Sequence, residues 1–322
     1  MRLAHLHIPH LVPFTYASHL QQTLVSRFLA HKKLYDTSSI SPTHLQPPPP
    51  DPTILTFTPH PVYTTGRRDL PPTTSTDPDP ALDGLNLPTP LHPIRHLLTP
   101  TSSQPAIAEF HPTLRGGQTT YHGPGQLVAY TILDLRRLRL GPRQHIRLLE
   151  RSVLDVLDGY GLQGAGLSDS DPGVWVDMPR SRLRLDRKGK REGDVEEEAE
   201  EAEEAVLSKK VAAVGVHLRR NVSSYGIGLN VTEEPMWFFR QIVACGLEGR
   251  GATSLVGCGV KFNADGDVMR EVAERLVSAF VRRVNEVGTA EAVDCCCKTG
   301  GGVGIEEVYS IEEQDVLGYA GE

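Results

Sequence analysis

No apolar run in this chain approaches the roughly 20 residues that a membrane helix needs. The opening stretch, Met1 to Leu11, also lacks the apolar core and small-residue cleavage site of a secretory signal. A soluble protein without a membrane partner is therefore expected. Charge of one sign is missing too: 33 Lys and Arg stand against 40 Asp and Glu, a net charge of -7 in mixed order along most of the chain. That balance excludes the basic footprint of a nucleic-acid binder and the cluster of a polybasic membrane anchor. Cysteine is scarce and badly spaced for a secreted disulfide scaffold, with Cys295, Cys296 and Cys297 adjacent, so a reducing compartment is expected. The triplet has no His or second Cys pair at zinc spacing and reads as part of an exposed tail, so no metal site is assigned. There are no internal repeats.

What is present, over 322 residues with 39% hydrophobic content, is enough apolar sequence for a full core. The periodicities predict a strand over Leu3–Val12 and a helix over Ser18–Ala30, with Leu20, Leu24 and Phe28 on its buried face. Thr53–Thr58 reads as a strand leading into a glycine turn at Gly66. Alternation of Leu127, Ala129, Thr131 and Leu133 predicts another strand, and a helix follows over Pro142–Tyr160 with Gly161 as its stop. Strands are expected at Pro172–Val176, Val211–Leu218 and Gly226–Val231, and a last helix at Asp267–Asn285. Prolines mark 42–52 and 71–105 as insertions, and the basic-then-acidic block 180–209 reads as a disordered one. One domain over 1–285 with a tail of open role over 286–322 accounts for this pattern.

Chemistry concentrates in three places. From Arg115 to Gln126 four glycines alternate with Arg115, Gln118, Thr120, His122 and Gln126. Glycine lets backbone N–H groups approach a ligand, which suits a substrate loop; a plain turn explains the glycines but not the polar residues between them. The spacing is neither a P-loop nor a dinucleotide fingerprint. Lys210 opens the apolar run Val211–Val216, and Cys245 lies between apolar residues and a glycine. Taken singly, Lys210 reads as a strand-edge lysine and Cys245 as a small core residue.

Together these segments resemble the lipoyl(octanoyl) transferase family. The likeness runs through Arg115–Gln126, Lys210–Gly215, Gly226–Val231, Cys245-Gly246-Leu247 with Thr253-Ser254-Leu255, and upstream Pro61–Arg67. Tyr225 stands where the family usually has histidine, Gly228 where alanine is common, and Ala244 where proline normally precedes the cysteine. The resemblance implies an α/β fold, a mixed sheet flanked by helices like that of biotin and lipoate protein ligases. It implies an acyltransferase that moves an octanoyl group from acyl carrier protein, through a thioester on Cys245, to a lysine of a lipoyl domain. The acceptors are lipoyl domains of 2-oxoacid dehydrogenase complexes or the glycine cleavage H protein.

Lys210 is the implied cation beside the thiolate and a candidate proton relay. Substrate contacts are implied for Arg115, Gly116, Gly117, Gln118, Thr119, Thr120, Tyr121 and His122, for Ala213, Val214 and Gly215, and for Gly226, Ile227 and Gly228. Backbone N–H groups around Gly116–Gly117 or Val214–Gly215 are candidate oxyanion donors. His122 is open between a catalytic and a structural role. No cofactor and no ATP are expected, and the protein is expected to be a monomer. Eukaryotic members of the family act in mitochondria, so that compartment, or else the cytoplasm, is the expected location, although no separate presequence is visible. Two rivals stand: an ATP-dependent ligase on the same fold, and a silent lipoyl-domain binder.

Overall fold

The computed structural model describes residues 1–37, 47–70, 85–168, 171–179, 206–242, 251–263, 266–294 and 304–318. Its strands are β1 (Arg2–Val12), β2 (Thr53–Pro59), β3 (Val62–Thr65), β4 (Glu109–Pro112), β5 (Thr120–His122), β6 (Gln126–Ile132), β7 (Ala165–Leu167), β8 (Gly173–Pro179), β9 (Val206–Arg219), β10 (Val222–Asn230) and β11 (Glu307–Ser310). The helices are α1 (Phe14–Thr37), α2 (Arg95–Leu98), α3 (Pro142–Gly159), α4 (Glu234–Arg240), α5 (Val268–Asp294) and α6 (Glu313–Leu317). Eight strands form a mixed sheet in the order β11-β1-β2-β6-β10-β9-β8-β7, and β4-β3-β5 form a smaller one.

The sheet is mixed because β1 runs parallel to both β2 and β11, while the strands from β2 through β6, β10, β9 and β8 to β7 pair antiparallel. Alternation sorts the side chains. Leu3, Ile54, Leu127 and Ala129 meet α3 and α5 on one face, and Leu6, Leu55, Val128 and Tyr130 meet α1 on the other. Every residue of β2 and β6 is buried, as expected for central strands covered on both sides. A third cluster packs the small sheet, through Tyr63 and Tyr121, against Leu91, Ile94, Leu97 and Ile242.

Three expectations from the sequence meet a different structure. Part of the stretch taken as a proline-rich insertion is core: Leu87, Leu91, Ile94, Leu97 and Leu98 are all buried. Pro90 falls in the first turn of a 3-10 segment, Thr89–Ile94, where its missing N–H costs no hydrogen bond, so proline and burial coexist. The charged block also ends earlier than 209, because β9 pairs with β8 from Val206 onward. Residues 180–205 and Cys295–Cys297 lie outside the described residues. Within 286–322, segment 304–318 returns to the fold. Ile305 is held by Asn285 (2.7 and 3.0 Å), β11 adds to the edge of β1, and Val316 is buried beside α1. Among the described residues no helix is long and apolar enough to cross a membrane.

Candidate active site

The site grows from missing side chains. Ala213 and Gly215 on β9 lie opposite Gly228 and Gly226 on β10, so two adjacent strands present a shallow trough on the face that Tyr130 shares. Thr120 and His122 of β5 and the 115–118 loop cover it. The cavity, of about 230 Å³, is also lined by Ile146 of α3 and by Asp171–Pro172. Gly228 leaves room for the polar side chains above it. A Cβ on it would come within 3.2 Å of the His122 ring and 3.1 Å of the Gln126 side-chain oxygen Oε1.

The covering loop is held by its own polar atoms. The Gly116 N–H donates to the Val216 carbonyl at 2.9 Å, which removes that amide from the candidate oxyanion donors. The buried Arg115 guanidinium donates to the carbonyls of Thr64 (2.9 Å) and Gly116 (3.1 Å), tying β3 to the loop. Asp69 accepts from the Thr119 N–H at 2.6 Å and from its hydroxyl at 2.7 Å. Thr119 and Tyr121 therefore do not line the cavity. The first bonds Asp69, and the second points to the opposite side of β5, stacked 4.2 Å from Phe238.

Lys210 is buried at the cavity wall. Its ammonium donates to Asp171 at 2.7 Å and to the Pro172 carbonyl at 3.4 Å, and lies 4.7 Å from the centre of the Trp175 ring. Val174 pairs with Ala212 but Trp175 pairs with Lys210, so Val211 is the extra residue of a β-bulge, a device that re-aims neighbouring side chains. Gly173, at φ +141°, lets the Asp171 segment come this close: a Cβ there would lie 2.5 Å from the Ala212 carbonyl oxygen and 3.2 Å from Lys210 Cε. The buried carboxylate of Glu150 accepts the Gly173 N–H at 2.8 Å and pairs with Arg147 at 3.1 Å, fixing the segment from beneath.

His122 is held neutral, its pKa pushed down to about 4 by burial and by the Arg115 charge, against a smaller opposing effect of its bond to Gln126. Tyr225 also faces the cavity. It sits in the left-handed region at φ 61°, costly for a residue other than glycine, with its N–H bonded to Gln21 at 2.6 Å. Its ring meets Tyr130 edge-on at 5.4 Å, and burial raises its pKa.

Of the residues expected in the site, Lys210, Arg115, Gly116, Gly117, Gln118, Thr120, His122, Ala213, Val214, Gly215, Gly226, Ile227 and Gly228 line this one cavity. Cys245 lies outside the described residues; on its far side the Gly251 carbonyl accepts the Lys210 N–H at 3.0 Å. Asp171, Tyr130 and Ile146 carry no motif of their own, and only the tertiary fold brings them in.

A family model described as the lipoyl protein ligase A/B catalytic domain matches residues 95–281, which include every cavity-lining residue except Arg68. The chain belongs to this family. Within it, the chain is 32% identical over 237 residues to a probable octanoyltransferase of Schizosaccharomyces pombe, covering 74% of this chain and 79% of that one. It is 39% identical over 173 residues to an octanoyltransferase of Solibacter usitatus, covering 54% of this chain and 61% of the relative. Among solved structures, lipoate-protein ligase A bound with ATP covers 98% of this chain and 90% of its own at 12% identity and a TM-score of 0.43. Biotin protein ligase from Aquifex aeolicus covers 50% of this chain and 54% of its own at 17% identity and a TM-score of 0.30. As a member of the octanoyltransferase family, the protein is an acyltransferase of protein lipoylation. Among the described residues no cluster of His, Cys, Asp or Glu could hold a metal ion.

Proposed function

We propose that this enzyme takes octanoyl groups from octanoyl-acyl carrier protein and passes them, through a thioester on Cys245, to a lysine of a lipoyl domain. The observation that carries the reading is that one cavity is lined by the buried Lys210 and His122 together with the apolar Ile146, Val214 and Ile227. In the first step the Cys245 thiolate attacks the donor thioester, the C–S bond to the carrier breaks, and the carrier thiol leaves with a proton. In the second, the acceptor amine attacks the octanoyl-cysteine, a C–N bond forms as the C–S bond breaks, the nitrogen gives up a proton, and Cys245 is released as thiolate. The donor is already activated, so no ATP enters. Burying the acyl chain contributes on the order of 0.8 kcal/mol per methylene, which favours a medium chain over a short one. The acceptors in this reading are lipoyl domains of 2-oxoacid dehydrogenase complexes or the glycine cleavage H protein, met in mitochondria.

Intact mass spectrometry tests it. Protein mixed with octanoyl-acyl carrier protein and an unmodified lipoyl domain, without ATP, is expected to yield an octanoyl-enzyme and then an octanoylated domain, both lost in Cys245→Ser. A domain that stays bare until ATP and free octanoate are added would instead make the protein a ligase.

A further inference from the structure

Four buried polar groups form a line with one possible polarity. The Thr253 carbonyl can only accept, so the Asn230 side-chain atom 2.9 Å from it is the amide nitrogen. The other Asn230 atom is then Oδ1, and it accepts from Gln126 Nε2 at 2.8 Å. Gln126 consequently turns its carbonyl oxygen to His122, 2.5 Å from Nδ1, and Nδ1 must carry the hydrogen. Every member is buried, with His122, Gln126, Asn230 and Thr253 at 7%, 2%, 3% and 4% exposure, so water offers no alternative partners. The far end is anchored as well. Thr253 N–H donates to the Lys210 carbonyl at 2.9 Å and Leu255 N–H to the Asn230 carbonyl at 3.0 Å, so the line is registered to the strand that carries Lys210.

We infer that Gln126 and Asn230 are positioning residues that lock His122 as its Nδ1–H tautomer and leave the Nε2 lone pair as the proton acceptor for the incoming amine. The inference rests on the proposed transfer to a lysine. As the amine forms its C–N bond, the nitrogen becomes positive; His122 Nε2 takes one of its protons, the intermediate collapses with loss of the sulfur, and the proton is then released to solvent. Uptake at Nε2 leaves the Nδ1–H bond to Gln126 intact, so the line survives the proton. Lys210, meanwhile, is engaged by Asp171 as an ammonium and supplies positive charge.

Long-range 1H–15N spectra of the full chain with labelled histidine, His122 assigned from a His122→Asn sample, read the tautomer directly. At neutral pH the wild type is expected to show a protonated Nδ1 and an unprotonated Nε2. Asn230→Ala, which frees the Gln126 amide to turn, should mix the tautomers. It should slow transfer from octanoyl-enzyme to lipoyl domain several-fold, in proportion to the Nδ1–H fraction lost and short of the roughly 100- to 10,000-fold that losing a placed base costs, with the rate of octanoyl-enzyme formation unchanged. Gln126→Glu keeps an acceptor on Nδ1 but charges it, so His122 should become protonated near pH 7 and the second step should again slow selectively. An Nε2–H tautomer in the wild type, or equal slowing of both half-reactions, overturns the inference. If no octanoyl-enzyme forms at all, the proposed function fails while the tautomer remains measurable.

Discussion

Gly173 is the residue on which the geometry around Lys210 turns. It combines a φ of +141° with backbone 2.5 Å from where a Cβ would lie, and neither the Ala212 carbonyl nor the sheet behind it can yield cheaply. Gly173→Ala should lower stability by about 1–3 kcal/mol through strain alone and displace Asp171 from Lys210, seen as a lower melting temperature and a smaller kcat. Glu150 separates the two effects. Glu150→Gln keeps an acceptor for the Gly173 N–H, whereas Glu150→Ala leaves that buried donor without one and should cost about 1–3 kcal/mol in urea unfolding. Arg147 is partly exposed and can rehydrate, so loss of the ion pair itself should matter little. Equal destabilisation by both variants would remove Glu150 from this supporting role.

At the level of elements, β11 and α6 cover what would otherwise be an open edge. β1 has β2 on one side, and its other side is occupied from Arg2 to His5 by β11. α6 is fastened to α1 by Arg27, which donates to the Asp315 and Val316 carbonyls, and by the Tyr16 hydroxyl on Glu313. Removing 304–322 uncovers the apolar core surface against which Ile305 and Val316 pack, and the polar edge of β1. Two such side chains at about 1.5–3 kcal/mol each imply a loss of roughly 3–6 kcal/mol, with self-association through the free edge. Thermal unfolding combined with light scattering checks this, and an unchanged melting temperature in a monodisperse sample would refute it.

Over the whole molecule the core carries neutral histidines. His5, His122 and His145 are each held near pKa 4, His5 by burial and then by His7 and Arg270, His122 by burial and then by Arg115, and His145 by burial. A lowered folded value means that the unfolded chain binds more protons. The stability from keeping these rings neutral is therefore complete above about pH 6.5 and is lost as pH falls toward 4, up to about 3 kcal/mol for each ring. Urea midpoints should decline steadily across that window, and His145→Gln should flatten the decline by about one proton. A midpoint independent of pH down to 5 would show that these rings are solvated.

Local pattern determined much of the fold. The alternation in β6, the four-residue spacing in α1, α3 and α5, and the glycine-rich 115–126 loop are read within a dozen residues, because each depends on the chain's own periodicity. What the sequence could not hold locally was decided by pairing between distant segments. Burial of 85–98 depends on Tyr63 and Tyr121, the place of 304–318 depends on β1 and α1, and the aim of Lys210 depends on a bulge against β8. The same division applies to the site. The motif around His122 was legible, and the tautomer of its ring was not, because that proton is fixed by a carbonyl at Thr253, 131 positions away in sequence, acting through two amides. Sequence by itself marked the motifs whose residues line the cavity; the tertiary structure set which of their atoms give hydrogen bonds and which receive them, since polarity passes only through contacts the fold creates.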